Sequence, residues 1–336
     1  MALHLDTTGL LDVLTTPAAA GELSSAHGTA AVVVDLDATD LGTAAQHRLR
    51  ALPCVTVACH GGRPPSSGRW FDVLLGPEDE ALADDLVAAI EAHPLASTAL
   101  AVLLRGGESR DIDDGLAAES AVYSLLQAGP EFAAWRAARP APRARREAGP
   151  AVLVGRDAAT LHITLNRPAR HNAFDVAMRD ELCGALELVA ADGTIERVVL
   201  DGTGPSFCSG GDLDEFGSFP DPATAHVVRL TRSAARLLSG IAERTEVHLH
   251  GACMGAGIEL AAFAGRVIAL PDSAIALPEL SLGLIPGAGG TVSLPRRIGR
   301  HRTALLALSG MRLDAATALS WGLVDEITSS AAGAEG

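Results

Sequence analysis

The chain has 336 residues, 48% of them hydrophobic, and a formal net charge of −15. That acidity argues against nucleic acid as a partner, because a polyanion is held by clustered positive charge. No apolar run reaches the length of a bilayer span, and the first residues lack the basic start and apolar core of a secretory signal. A cytoplasmic protein without a membrane partner is expected. All 26 basic residues are arginine. Without lysine, Schiff-base and P-loop chemistry are excluded, and an anionic ligand must be met by arginine, histidine or backbone N–H groups. The five cysteines, Cys54, Cys59, Cys183, Cys208 and Cys253, show no metal-ligand spacing. Most lie in apolar segments, where cysteine packs as a small hydrophobe, so neither a metal nor a redox cofactor is implied.

Residues 1–29 read as a short helical pattern and a loop. From 30 the pattern is α/β, with strands over 30–36, 53–58 and 71–75 and helices over 40–51 and 78–92, the second opened by Pro77. A fourth apolar run covers 99–105, followed by helical patterns over 111–128 and 131–139. Three prolines and a group of arginines over 140–150 make that stretch the linker between a first domain, 1–139, and a second, 151–330. The second opens with two strands over 151–166, then a helix over 175–190 and a strand over 197–202. A helix through 222–243, a strand over 246–250, another over 266–271 and a helix over 300–308 complete the reading.

The chemistry concentrates between His248 and Thr291. An apolar strand there ends in the small-residue turn Gly255-Ala256-Gly257, which opens a helical pattern at Ile258. The first N–H groups of a helix have no internal partner and sit at the positive end of its dipole. Such a turn suits a developing oxyanion. Glu259 follows Ala256 by three residues and shares the first helical turn. Glu279 comes after Pro278 and is followed by the glycine-rich turn 286–290. The plain alternative is a glycine-rich helix start beside two surface acids.

Five motifs occur in order: NRPARHNAF, SFCSGGDL, GACMGAGIEL, LPELSLGLIPGAGGT and GMRLDAATALSWGLVDEI. Over about 160–327 the chain resembles the crotonase (enoyl-CoA hydratase/isomerase) superfamily on these motifs. The resemblance implies a crotonase-like ββα spiral and, as substrate, an acyl-CoA thioester. An acyl-carrier-protein thioester stays open. It implies no cofactor beyond the coenzyme A of the substrate, and a homo-oligomer, trimer or hexamer. It assigns the oxyanion-hole N–H groups to Gly211 and Ala256, and the two acid–base carboxyls of a hydratase to Glu259 and Glu279. Gly287 falls where a small residue leaves room for water and acyl chain. Ser209, Asp212, Leu213 and Gly255 fall at substrate-binding positions. Arg170 and His171 stand beside Ala169, where family members often carry lysine, and each either meets a phosphate or is a solvated loop residue.

Keeping both glutamates favours hydration. Isomerisation, other enolate chemistry and a non-catalytic subunit are the alternatives. Family members continue well past the counterpart of GLVDEI, with helices that cap the site. Residues 1–149 themselves resemble a worn crotonase half that lacks a CSGGD-like loop and a helix-start glutamate, and that half is expected to be inert. Its helices over 111–139 are expected to pack over the catalytic half and to replace the cap.

Overall fold

The structure is a computed structural model and describes residues 1–16, 18–140, 149–218 and 221–329. Most of the expected linker, residues 141–148, lies outside the described residues. The first half comprises β1 (Ala2–Asp6), α1 (Thr7–Thr15), α2 (Ala19–Glu22), β2 (Ala31–Asp35), α3 (Thr43–Arg50), β3 (Val55–Cys59) and β4 (Val73–Leu75). Four further helices follow: α4 (Glu80–Ala92), α5 (Pro94–Arg105), α6 (Ile112–Gln127) and α7 (Pro130–Ala138). The four strands form a parallel sheet in the order β1-β2-β3-β4.

Strand β2 shows why this sheet is buried on both faces. Its valines alternate sides, as the two-residue period of a strand requires. Val32 and Val34 pack with Leu10 and Leu14 of α1 and Leu49 of α3. Val33 faces the other way and joins a larger core that runs through α4–α7 into the second half of the chain.

The second half contains β5 (Val152–Asp157), β6 (Thr160–Leu165), α8 (Val176–Ala191), β7 (Arg197–Gly202), α9 (Pro222–Thr231), α10 (Ala234–Gly240), β8 (Thr245–Leu249), β9 (Ala252–Met254) and α11 (Ala256–Ala261). It ends with β10 (Arg266–Ala269), β11 (Ala274–Ala276), α12 (Gly290–Ile298), α13 (Arg300–Ser309), β12 (Leu313–Asp314), α14 (Ala315–Trp321) and β13 (Glu326–Ile327). A six-stranded sheet runs β13-β10-β8-β7-β6-β5, parallel except for the β5–β6 hairpin. A small second sheet, β12-β11-β9, collects the short strands that follow β8 and β10. β8 and β10 each hand over to a short strand and then to a helical turn, which is a ββα repeat.

Four expectations are corrected. Residues 2–6, read as helix or loop, form β1, in which half-buried Leu3 and Leu5 alternate with exposed His4 and Asp6. The apolar run 99–105 is the end of helix α5, which Pro94 opens and whose length suits a helix. The single helix expected over 222–243 breaks at Arg232, where the Ser233 side chain accepts from Arg236 N–H and starts α10. The helix after the glycine turn begins at Ala256 rather than Ile258.

The helices over 111–139 do lie on the second half. Helix α6 packs against α9, α10 and α12, and α7 against the 3-10 turn Glu279–Leu282. Among the described residues no single helix is long and apolar enough to cross a membrane.

Candidate active site

The turn after β9 is built around Gly255, which has φ +47° and ψ −120°. That conformation is open to glycine and strained for other residues. It swings the chain from β9 into α11, so that Ala256 becomes the first residue of the helix. Gly211 reaches the same place from the loop after β7, which bridges Phe174 to Gly211 and Cys208 to Cys253. Among the described residues, the N–H groups of Gly211 and Ala256 have no backbone acceptor. Both residues line one cavity of about 200 Å³.

Two expected carboxyls share that cavity. Glu259 is 2% exposed, and its Oε2 accepts from Ala288 N–H at 2.7 Å and Gly290 N–H at 2.8 Å. Glu279 opens the 3-10 turn after Pro278 and is 8% exposed. Its Oε1 lies 2.2 Å from the point where a Cβ on Gly255 would be. Its Oε2 is buried with no partner among the described residues.

A third carboxyl, which sequence reasoning missed, comes from α6 in the first half. Glu119 is 2% exposed and accepts from Gly289 N–H at 2.7 Å, Thr291 N–H at 2.9 Å and Thr291 Oγ1 at 2.7 Å. Its signal in the sequence is its place on an apolar stripe: Leu116, Glu119, Tyr123 and Leu126 recur at helical spacing and all are buried.

Burial dominates the electrostatics. It pushes Glu119 and Glu279 up to about 7, and the charge on Glu119 adds to the rise at Glu279. Glu259 rises well above the usual carboxyl range, through burial first and then repulsion by Glu279 and Glu119. Three acids so placed hold at least part of a proton at neutral pH. Arg229 on α9 draws Glu119 back toward ionisation. That guanidinium lies 4.9 Å from the Tyr123 ring centroid and donates to Ser120 Oγ at 3.0 Å.

Cys208 and Cys253 are 1% and 0% exposed, and burial holds both thiols protonated, Cys208 being pushed up to about 12.

The model of the enoyl-CoA hydratase/isomerase family matches residues 155–333. The chain belongs to that family. The 2,3-dehydroadipyl-CoA hydratase of Escherichia coli (strain K12) is 35% identical over 176 residues, 52% of this chain and 68% of that one. The 1,2-epoxyphenylacetyl-CoA isomerase of the same strain is 37% identical over 170 residues, 49% of this chain and 64% of that one. The chain therefore spans about two thirds of the length of these curated relatives. An enoyl-CoA hydratase crystal structure from Thermoplasma volcanium GSS1 superposes with a TM-score of 0.51 at 36% identity. It covers 55% of this chain and 75% of that one, and the shared part has the crotonase fold.

Of the residues assigned from the family motifs, Gly211, Asp212, Ala256, Glu259, Glu279 and Gly287 line the cavity, and Gly255 abuts Glu279. The space that the missing side chain of Gly287 leaves is filled by the Tyr123 ring, 2.4 Å from an added Cβ. Arg170, Ser209 and Leu213 do not line the cavity. Arg170 pairs with Asp212 at 2.5 Å, and Ser209 N–H donates to His171 O at 2.8 Å. Asp175, Asp212 and Glu215 bring carboxylate oxygens within 4.8 Å of one another, a donor set suited to a divalent cation. Each also has a protein partner: Met178 N–H for Asp175, Arg170 for Asp212 and Val176 N–H for Glu215.

Proposed function

We propose that the chain adds water across the 2,3-double bond of an enoyl thioester carried on coenzyme A. The observation behind this reading is that two buried carboxyls, Glu259 and Glu279, and two backbone N–H groups without acceptors among the described residues, at Gly211 and Ala256, line one cavity. The thioester oxygen accepts from the two N–H groups, which draws electron density from Cβ and stabilises the enolate as it forms. A water lies between the carboxyls. The ionised carboxylate takes one of its protons as the oxygen bonds to Cβ, and the protonated carboxyl returns a proton to Cα. The double bond becomes a single bond, and the net addition is one water. The raised pKa values suit the task, since the pair must hold one proton near neutral pH.

A second reading, migration of the double bond, uses the same N–H groups and the same carboxyls as proton carriers. The comparable identity to the E. coli hydratase and isomerase favours neither. Purified protein is mixed with crotonyl-CoA, and loss of the conjugated-thioester absorbance is followed beside Glu259→Gln and Glu279→Gln. The expected result is turnover by the wild type, with each variant slower by about a hundred- to ten-thousandfold. A variant at the wild-type rate removes that carboxyl from the mechanism. Recovery of a positional isomer of a longer enoyl-CoA, with no hydroxyacyl product, replaces hydration by isomerisation.

A further inference from the structure

We infer that Glu119, supplied by the first half of the chain, is a positioning residue of this active site that holds Glu259 through a loop the two carboxylates share. The inference rests on the hydration reading for its rate assay but not for its titration.

Four consecutive N–H groups carry the argument. Glu259 Oε2 takes those of Ala288 and Gly290, while Glu119 takes those of Gly289 and Thr291. Successive peptide planes of one glycine-rich segment are thus gripped alternately by two acids from different parts of the chain. Helix α12 begins inside this segment and has no side-chain cap from its own Gly289. Glu119 is the group that fixes the planes to which Glu259 is tied, and the Thr291 hydroxyl adds a third bond. Glycine at 289 and 290 supplies no packing of its own to do this.

A carboxylate is an unusual choice if the role were capping alone. A serine or asparagine caps a helix without bringing a charge into a pocket that already holds two acids. Helix α9 turns Arg229 and His226 toward Ser120, next to Glu119. Helix α10 presents Arg236, paired with Asp113, and α12 presents Arg296, which donates to Arg110 O. On α6 itself Tyr123 is buried and un-ionised. Arg229 is the cation that bears on Glu119, and Glu119 in turn raises both Glu259 and Glu279. Its charge helps to keep a proton on the catalytic pair.

The test uses the full chain with Glu119→Gln, which keeps size and removes charge, and Glu119→Asp, which keeps charge and withdraws from the loop. Two readouts are taken: kcat and KM on crotonyl-CoA across the pH range, and carboxyl titration by carbon-13 NMR, which needs no turnover. Glu119→Asp is expected to lower kcat by about ten- to a hundredfold, with KM nearly constant and the titration of Glu259 and Glu279 unmoved. Glu119→Gln is expected to lower kcat and also to move that titration, and the matching limb of the pH–rate profile, to lower pH. Wild-type kcat in Glu119→Asp overturns the inference, and so does an unmoved titration in Glu119→Gln. A wild type inactive on crotonyl-CoA and on longer 2-enoyl-CoA thioesters, but with a titration that moves in Glu119→Gln, refutes the hydration reading and leaves the coupling of the three acids standing.

Discussion

Gly255→Ala asks whether the position of Glu279 controls the rate. The added methyl would stand 2.2 Å from Glu279 Oε1. Carbon and oxygen settle no closer than about 3.3 Å, so the carboxylate must withdraw by about 1 Å. The backbone cannot yield instead, because Gly255 N–H is tied to Ala276 O at 3.0 Å and Gly210 Cα lies 3.6 Å from the new carbon. A displacement of about 1 Å in a catalytic group costs about a hundredfold in rate. Holding alanine at φ +47° adds about 1–3 kcal/mol of strain, which lowers the melting temperature by a few degrees. The expected variant therefore folds, melts slightly early and hydrates crotonyl-CoA about a hundred times more slowly. Gly61→Ala is the control, since a Cβ there meets nothing within 4 Å. A Gly255→Ala protein whose kcat stays within about threefold of wild type would refute the reasoning from Glu279 to the rate.

Two further outcomes concern stability. Glu279 sits near 7 in the folded chain against an ordinary 4.5, so the native state keeps a proton that the unfolded chain releases. That contribution is full below 4.5 and is lost as pH rises through about 7, so the melting temperature should fall across this window and fall less steeply in Glu279→Gln. Equal slopes in calorimetry would count against the buried acid. Gly283→Ala should destabilise by about 2–3 kcal/mol in urea titration, because residue 283 has φ +70° and its Cβ would stand 2.7 Å from Phe132 N on α7. An unchanged midpoint would mean that α7 is not pinned to the Glu279 turn.

The second half was legible because its signals are local. Strand β7 agrees with the expected 197–202 at both ends, and the acids at 259 and 279 are placed by turns within a few residues of each. The misses have the opposite character. The seven residues at 99–105, six of them apolar, fit a strand or a helix end equally, and only the helix begun at Pro94 decides. Ser233 breaks a continuous helical pattern by capping, which periodicity does not register. Glu119 meets Gly289 across 170 residues and Thr291 across 172, so no spacing in the sequence joins them. What the sequence did hold was a charge on an apolar stripe.

That distance explains what the first half contributes. The acids at 259 and 279 stand beside glycine-rich turns, which fix direction but cover little. Helix α6 closes one wall of the cavity with Leu116, Glu119, Ser120 and Tyr123. Helix α7 continues the cover over the 3-10 turn that begins at Glu279. Phe132 lies against Gly217 and Gly283, and Trp135 stacks on Phe132 with its ring 6.3 Å from Phe216. These contacts remove water from the carboxyls, and burial is the largest cause of the rise at each of the three acids. Opening that wall to water would move the pKa of each acid down toward the ordinary carboxyl range. The raised pKa of these acids is therefore a property of both halves of the chain together.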